Sequence, residues 1–341
     1  MHKQMARRFW TVMLISIVFI FAAIYVSLTN GEFDIKVIDI VKTLLRVDPN
    51  SEHDLVIFEF RLPRILIASL IGFGFAVAGA TLQGISRNGL ADPGVLGINS
   101  GAGAAIVIFM LFFEGQITGS GWLSTLAMPL FGWIGGLASA LLIYLFSWRN
   151  GKLDSERAIL VGIAIGFGFG ALSMFLSLKM NPQDFEMATV WLNGSIWNAN
   201  WKYIVSILPW LVILVPIIIK KSYILDLLQL GEDRAIGLGI RTEKEKNVFL
   251  LCSIGIVSAC VSVAGNIVFV GLIAPHIAKR LVAIHHFWLI PVSGTVGMLM
   301  VIVSDYIART VFSPAELPVG IVISIIGVPY FIYLLFKDSK K

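Results

Sequence analysis

The sequence predicts an all-α polytopic membrane protein with about ten transmembrane helices. Of its 341 residues, 57% are hydrophobic and only 14% are charged, and the mean hydropathy is +0.87. A soluble domain carries about 25% charged residues. A chain this apolar cannot cover itself in water and needs a hydrocarbon solvent. The composition therefore argues against a soluble enzyme, a secreted disulfide scaffold and a disordered tail.

Ten apolar runs follow one another along the chain, and most reach the roughly 17–25 residues that a helix needs to cross a bilayer. The run 267–284 is the exception, because it contains Pro275, His276, Lys279 and Arg280, and we expect its helix to be short or broken. If this run is counted as a membrane crossing, there are ten crossings and both termini lie on one side of the membrane. The runs span 9–28, 64–84, 95–113, 125–147, 157–178, 203–219, 247–265, 267–284, 287–308 and 319–336.

The distribution of positive charge predicts the orientation of residues 1–341, which we interpret as a single transmembrane domain. The first run, 9–28, is longer than the apolar core of about 7–15 residues in a cleaved signal peptide, so we expect it to be retained. With its N-terminus inside, 18 of the 26 Lys and Arg residues fall on the inner side and 8 on the outer side. Because cytoplasmic segments are enriched in positive charge, both termini are predicted to be cytoplasmic. The net charge of +5 then reflects these segments.

Residues 30–60 are predicted to form an extracytoplasmic segment after the first helix. Val37, Ile40, Val41 and Leu44 recur at helical spacing, with charged residues mostly between them. This pattern predicts a short amphipathic helix. It either lies on the membrane surface or docks against the other helices as an ordinary loop helix.

Residues 220–246 make up the longest polar segment on the cytoplasmic side. The stretch Glu232-Asp233-Arg234-Ala235 is bounded by glycines and is typical of a charged helix start. Thr242-Glu243-Lys244-Glu245 matches a capping box, S/T-x-x-E, before the next apolar run. The segment is either a connector between two helices or a docking element for a cytoplasmic partner.

The sequence carries no pattern for nucleotide or metal chemistry. It contains no G-x-x-x-x-G-K-[ST] phosphate loop, no H-E-x-x-H and no C-x-x-C. On one helix Cys252 and Cys260 lie about 12 Å apart, too far for a disulfide. The adjacent His285 and His286 point apart and make a poor metal site. We expect no catalytic residue, no metal and no cofactor in this chain, and no nucleic-acid partner, since it lacks a Lys/Arg-rich block.

Acidic residues are scarce at the predicted membrane midplane. Asp305 lies closest, but it is near the outer end of its run, and Arg309 four residues later can pair with it on one helix face. An ion-coupled carrier usually has a carboxylate or a broken-helix ion site near the midplane. The pattern therefore weighs against secondary transport without removing it as an alternative.

Four separate stretches, one of them in the cytoplasmic segment, carry a family resemblance. They are Arg61-Leu62-Pro63-Arg64 leading into Ala78-Gly79-Ala80-Thr81-Leu82-Gln83-Gly84 and Leu90-Ala91-Asp92-Pro93-Gly94; Gly231-Glu232-Asp233-Arg234-Ala235 with Leu238-Gly239; Phe269-Val270-Gly271-Leu272-Ile273-Ala274-Pro275-His276; and Glu316-Leu317-Pro318-Val319-Gly320. In this order they resemble the FecCD family, the permease subunits of ABC importers for iron–siderophores, haem and cobalamin. One departure is Gly89, where the family usually has proline.

The resemblance implies a ten-helix importer permease in the cell membrane that moves ferric siderophore by alternating access. Haem or cobalamin is the alternative substrate within the family, and an ion-coupled secondary transporter is the alternative from another class. Two permease subunits, identical or paralogous, would sit in the lipid bilayer on two ATP-binding subunits. An extracytoplasmic siderophore-binding protein would dock outside. ATP and magnesium would be bound by the partner ATPase, so this chain is not expected to be an enzyme.

The same resemblance implies two sites. The ATPase-coupling loop would consist of Gly231, Glu232, Asp233, Arg234, Ala235 and Gly239. The arginines that dock the binding protein, by pairing with acidic residues on its two lobes, would be Arg61, Arg64 and Arg309. From the residues alone, interfacial anchoring of these three arginines is an equal alternative.

Overall fold

Helices account for nearly all of the chain in a computed structural model. The structure describes residues 2–30, 35–47, 50–94, 97–113, 121–149, 152–153, 155–282, 284–313 and 315–338. The α-helices are α1 (His2–Thr29), α2 (Val37–Leu44), α3 (Ser51–Asp54), α4 (Leu62–Ser86), α5 (Ile98–Phe112), α6 (Trp122–Ser147), α7 (Ser155–Ser177), α8 (Pro182–Leu192), α9 (Trp201–Leu228), α10 (Glu232–Gly237), α11 (Thr242–Ala264), α12 (Val270–Leu281), α13 (His286–Thr310) and α14 (Val319–Asp338). A π-helical segment, Leu55–Arg61, leads directly into α4, and a short antiparallel ladder, β1 (Trp148–Arg149) with β2 (Lys152–Leu153), joins α6 to α7.

Each of the ten apolar runs corresponds to one helix, which confirms the all-α polytopic prediction. Within the described residues, eight helices are long and apolar enough to cross a membrane, and α5 is a shorter apolar helix of 15 residues. The run 267–284 forms α12, which has only 12 residues. At 1.5 Å per residue α12 spans about 18 Å, against about 30 Å of hydrocarbon. The expectation of a short or broken helix in this run is therefore confirmed.

The chain is not helical between the end of α11 at Ala264 and the start of α12 at Val270. Gly265 and Phe269 both have a φ of +69° in this break. Non-helical backbone at membrane depth is stable only where protein buries it or where it lines a cavity. The buried carboxylate of Asp92 provides one such partner, because its Oδ2 accepts a hydrogen bond from the Phe269 amide at 3.0 Å.

Helices α4 and α13 pack closely against each other through small residues. A Cβ added at Gly72 of α4 would overlap the backbone carbonyl of Gly297 in α13. The same helix meets the start of α12, where a Cβ added at Gly79 would overlap the carbonyl of Gly271. Without a hydrophobic driving force between helices in lipid, small residues that let backbones approach are what hold such pairs together.

The helix ends form two polar layers. One layer contains the end of α1, the start of α4, the end of α13 and the start of α14; in it Arg309 Nη2 lies 2.6 Å from Ser27 Oγ and Arg64 Nη1 lies 2.9 Å from Glu316 Oε2. We call this the outer end, according to the charge rule. The opposite layer, the inner end, contains the end of α4 and the end of α12, where Lys279 Nζ donates to Gln83 Oε1 at 3.0 Å.

The segment 220–246, predicted to be cytoplasmic, is more helical than its polarity suggested. α9 continues to Leu228 and α11 begins at Thr242, which leaves only 229–241 as the connector around α10. The capping box does not form. Arg241, not Thr242, is the N-cap residue of α11 and makes no side-chain cap, and the Thr242 hydroxyl instead donates to Glu232 Oε1 at 3.4 Å.

The segment 30–60, predicted to be extracytoplasmic, contains the amphipathic helix expected from its spacing, as α2. Residues 31–34 and 48–49 lie outside the described part of the chain. Ile40 is buried, while Val37 and Val41 are exposed. α8 was not predicted. Its signal is local: the Asn181 side chain accepts a hydrogen bond from the Asp184 amide as an N-cap, and Pro182 occupies the first helical position.

Candidate functional site

The connector at the inner end is shaped by two glycines. Gly231 precedes α10 with a φ of +109°, and Gly239 follows it with a φ of +84°. Residues other than glycine rarely adopt these backbone angles. The glycines therefore turn the chain sharply out of α9 and back into α11, and α10 is held between them as a short exposed helix.

The predicted coupling residues divide between two faces of this connector. Glu232 faces α11, where its Oε2 lies 3.1 Å from Lys246 Nζ, and Ala235 is fully buried. Asp233 and Arg234 are exposed instead. The connector thus has one face that fixes it to α11 and one charged face that is free to bind another protein.

Large apolar side chains lie around the exposed charges of the connector. Leu230, Ile236 and Leu238 are each about half exposed or more, with Leu238 at 61%. Protein interfaces typically combine an apolar centre with a charged rim. The connector has both elements on the surface of α10, a helix of fewer than two turns, and of its flanks.

A further contact ties the stem of this connector to α13, and sequence reasoning missed it. Asp226, in the last turn of α9, accepts a hydrogen bond from the His286 amide at 2.9 Å, and its Oδ1 lies 2.6 Å from His286 Nδ1. His285 Nδ1 lies 3.4 Å from Asp226 Oδ2. The carboxylate of Asp226 and the two histidines therefore link the end of α9 to the start of α13.

At the outer end, one carboxylate holds two of the three predicted docking arginines. Arg64 Nε lies 2.9 Å from Asp305 Oδ1, and Arg309 Nε lies 3.4 Å from Asp305 Oδ2. The side chain of Asp305 is 2% exposed, and those of Arg64 and Arg309 are 12% and 11% exposed. The expected pairing of Asp305 with Arg309 is present, and the link to Arg64, 241 residues away in sequence, is one that spacing could not reveal.

The second partner of Arg64 is nearer the surface. Glu316, just before α14, accepts a hydrogen bond from Arg64 Nη1 at 2.9 Å, and its side chain is 32% exposed. Glu316 is therefore the more exposed of the two carboxylates that pair with Arg64.

Arg61 differs from the other two arginines. It ends the π-helical segment, is 5% exposed, and donates from Nη1 to the carbonyl of Leu28 near the end of α1. A cation is favoured at a helix C-terminus by the free carbonyls and the helix dipole. In the structure Arg61 fastens α1 to α4 beneath the outer surface.

A cavity of about 500 Å³ lies beside the outer arginines. Glu316 is part of its wall, so the cavity and Arg64 share a carboxylate. The remaining wall is mixed; it includes methionine and aromatic side chains such as Met110, Met128, Trp191 and Trp197, and a second carboxylate, Glu186. Among the described residues there is no group of three or more His, Cys, Asp and Glu side chains that could hold a metal ion.

The profile of one transport family matches nearly the whole chain. The model of the FecCD transport family aligns with residues 17–337. The chain belongs to the FecCD transport family. This confirms the resemblance carried by the four stretches, and the alternatives outside the family receive no support from the match.

Curated relatives of this FecCD protein align along nearly their full length. It is 54% identical over 316 residues to the iron-uptake system permease protein FeuC of Bacillus subtilis (strain 168), covering 93% of this chain and 94% of FeuC. It is 44% identical over 328 residues to the iron(3+)-hydroxamate import system permease protein FhuG of the same organism, covering 96% and 97%.

A solved structure supports the fold of this FecCD protein. A metal-chelate type ABC transporter in an inward-facing conformation superposes with a TM-score of 0.82 at 28% identity, covering 96% of this chain and 99% of the other. The likeness extends over nearly all of both chains and supports the fold.

Replacing Asp305 with alanine is expected to destabilise this FecCD protein by about 3–5 kcal/mol, because two nearly buried guanidinium groups lose their shared carboxylate. The measurement is the melting temperature of the purified protein in detergent. The control is Asp54→Ala, which breaks the exposed Arg46–Asp54 pair of 2.6 Å. An exposed pair contributes about 0–1 kcal/mol. Equal shifts in the two variants would contradict a structural role for Asp305.

Proposed function

We propose that the chain is the membrane-spanning permease subunit of a binding-protein-dependent ABC importer that carries a ferric siderophore into the cytoplasm. The observation that carries this proposal is its similarity, over more than nine-tenths of its length, to permease proteins named for iron uptake and iron(3+)-hydroxamate import. Transport proceeds by alternating access, with the helices opening to one side of the cell membrane at a time.

The energy for transport comes from a partner. The sequence lacks a phosphate-binding loop, so ATP and magnesium are bound by a separate ATP-binding subunit. A second permease subunit, identical or paralogous, completes the membrane part, and an extracytoplasmic siderophore-binding protein delivers the substrate. This chain supplies the path and the two contact surfaces, one at each end.

In this assembly the connector around α10 seats in a groove of the ATP-binding subunit. The exposed Asp233 and Arg234 make the charged contacts there, while Glu232 fixes the connector to α11 through Lys246. Gly231, Ala235 and Gly239 set its shape. Movement of the ATP-binding subunits reaches the helices through this loop, since its stem is bonded to α13 by Asp226 and His286.

Reversing the charge of Arg234 tests the coupling site. Arg234→Glu is expected to reduce recovery of the ATP-binding subunit with the affinity-tagged permease and to abolish uptake, because the contact loses a cation on its exposed face. The matched control is Lys220→Glu, which reverses the charge of an exposed lysine in α9. Lys220 lies eight residues, or about 12 Å, before the end of that helix. Intact association and uptake in Arg234→Glu would show that the coupling surface lies elsewhere.

The outer arginines dock the binding protein. An acidic residue on one lobe displaces Glu316 and takes its place on Arg64, while Asp305 keeps the guanidinium oriented. Arg309 is held in the same layer by Asp305 and Ser27. Arg61 supports the docking surface from beneath, because it anchors the end of α1 to the start of α4.

Two substitutions with opposite expected effects test this docking mode. Arg64→Glu is expected to lower the affinity for the siderophore-loaded binding protein by about tenfold or more at low ionic strength, with the difference shrinking as salt is added. Glu316→Gln removes the internal competitor and is expected to keep or raise that affinity. A loss of affinity in Glu316→Gln equal to that in Arg64→Glu would contradict the exchange of carboxylates. Melting temperatures of both variants control for misfolding.

Uptake by a deletion strain tests the substrate class. We expect loss of radio-iron uptake from one ferric siderophore or a related group, with uptake of haem and cobalamin unchanged, and restoration by the wild-type chain. The reason is the similarity to iron-uptake permeases over nearly the whole chain. Loss of haem or cobalamin uptake instead would reassign the substrate within the family. Iron uptake driven by an ion gradient without ATP would overturn the importer assignment.

A further inference from the structure

The short outer helix α2 has an apolar face that the described part of the chain leaves exposed. On another side α2 packs against the π-helical segment, where Ile40 shares a small core with Ile35 and Ile57. The exposed face, which we call the α2 stripe, consists of large apolar side chains that are 40–68% exposed: Val37, Ile38, Val41, Leu44 and Leu45. Single exposed apolar residues are ordinary on a protein surface, whereas a contiguous apolar face marks contact with a partner or a membrane.

The side chains of α2 divide into three sectors around the helix axis. Consecutive residues of an α-helix lie about 100° apart, so the α2 stripe falls within a sector of about 120°. The buried Ile40 and Thr43 occupy a second sector, and Asp39 and Lys42 occupy a third. A helix at a membrane surface presents an apolar face to the acyl chains and a charged face to water. α2 has both of these faces, and its third face fixes it to the protein.

The depth of α2 corresponds to the outer edge of the hydrocarbon layer. The apolar run 9–28 of α1 is about 30 Å long as a helix, which matches the thickness of that layer. The carbonyl of its last residue, Leu28, accepts a hydrogen bond from Arg61 Nη1. Ile57, which packs against α2, lies about one turn before Arg61 and therefore farther from the membrane centre. α2 thus lies just outside Leu28, at the level of the lipid head groups.

The surface that adjoins α2 faces lipid. α2 contacts α1, and α1 exposes large apolar side chains along most of its length, among them Trp10, Phe19 and Tyr25. Tyr25 is 53% exposed one turn before the end of α1, and tyrosine is enriched at membrane–water interfaces. Phe60 in the π-helical segment is also exposed. Lipid is therefore the neighbour that the surroundings of α2 supply.

We propose that α2 is an interfacial helix whose stripe inserts among the acyl chains of the outer leaflet, while Asp39 and Lys42 stay in the aqueous layer. The partner of this surface is the phospholipid bilayer, so the inference needs only that the chain is a multi-pass membrane protein. Of the two arrangements that the sequence left open, docking and lying on the membrane, α2 then has both. Through Ile40 and Ile57 the lipid-anchored helix holds the π-helical segment, and with it Arg61, at a fixed height.

Collision rates of nitroxide labels test this proposal in the complete transporter, purified through this chain and reconstituted in phospholipid vesicles. Ile38→Cys and Val41→Cys place the label in the α2 stripe, and Lys42→Cys places it at an exposed position in the charged sector of the same helix. The native Cys252 and Cys260 are buried, so the labelled parent chain gives the background. The two collision partners are molecular oxygen, which concentrates in hydrocarbon, and nickel ethylenediaminediacetate, which stays in water.

We expect the ratio of oxygen to nickel collisions to be about threefold or more higher at Ile38→Cys and Val41→Cys than at Lys42→Cys, because acyl chains exclude the polar chelate. Melting temperatures equal to that of the parent chain control for misfolding, since all three positions are exposed.

Two results would overturn the proposal. Frequent nickel collisions at all three positions would place the α2 stripe in water. Few collisions with either reagent at Ile38→Cys and Val41→Cys would mean that protein covers the stripe. In that case, a further fall when the siderophore-loaded binding protein is added would identify that protein as the occupant, and the same low rates without it would indicate another subunit.

Discussion

The packing of α4 against α13 fixes the distance between the two ends of the molecule. Their glycine contact at Gly72 and Gly297 brings the backbones together with no side chain between them. The outer ion cluster joins the start of α4 to the end of α13 through Arg64 and Asp305. At the inner end, His286 begins α13 and bonds Asp226, the stem of the connector. Because interiors at such density transmit displacement rather than absorb it, a shift at one end of this pair is felt at the other.

Hydrocarbon imposes a second constraint, which explains why the family stretches contain so many small and polar residues. Broken backbone at membrane depth must find its hydrogen-bond partners inside the protein. Asp92 supplies an acceptor for the Phe269 amide, and Gln83 Nε2 donates to the Gly271 carbonyl at 3.2 Å. Gly194 accepts from the Gly320 amide at 2.9 Å. Residues from separate stretches of sequence thus meet around one short break, which ties their identities to the shape of the backbone.

The sequence was sufficient for the long helices and for the family, but not for the short helix α8 or for contacts between distant segments. Apolar periodicity and length locate each long helix because lipid requires an unbroken apolar surface, and even the short α12 was visible from Pro275, Lys279 and Arg280 in its run. The Asp305–Arg309 pair followed from helical spacing. The Arg64–Asp305 and Asp226–His286 contacts did not, since each joins residues far apart along the chain. The role of Asp92 could not be predicted either, because this residue lies between α4 and α5 and its partner, the Phe269 amide, is far away in the chain.

The distribution of charge also bears on how a permease can release what it carries. The charged side chains with candidate roles lie at the ends, Arg64 and Asp305 outside and Asp233 and Arg234 inside. Between these ends, a cavity of about 540 Å³ is lined by the amides of Asn193 and Asn266, the hydroxyl of Ser324 and apolar groups. A single neutral hydrogen bond contributes only about 0.5–1.5 kcal/mol net. Passage requires binding that is favourable enough for entry and weak enough for exit. Under the proposed function, strong and selective binding therefore belongs to the delivering protein and not to the permease.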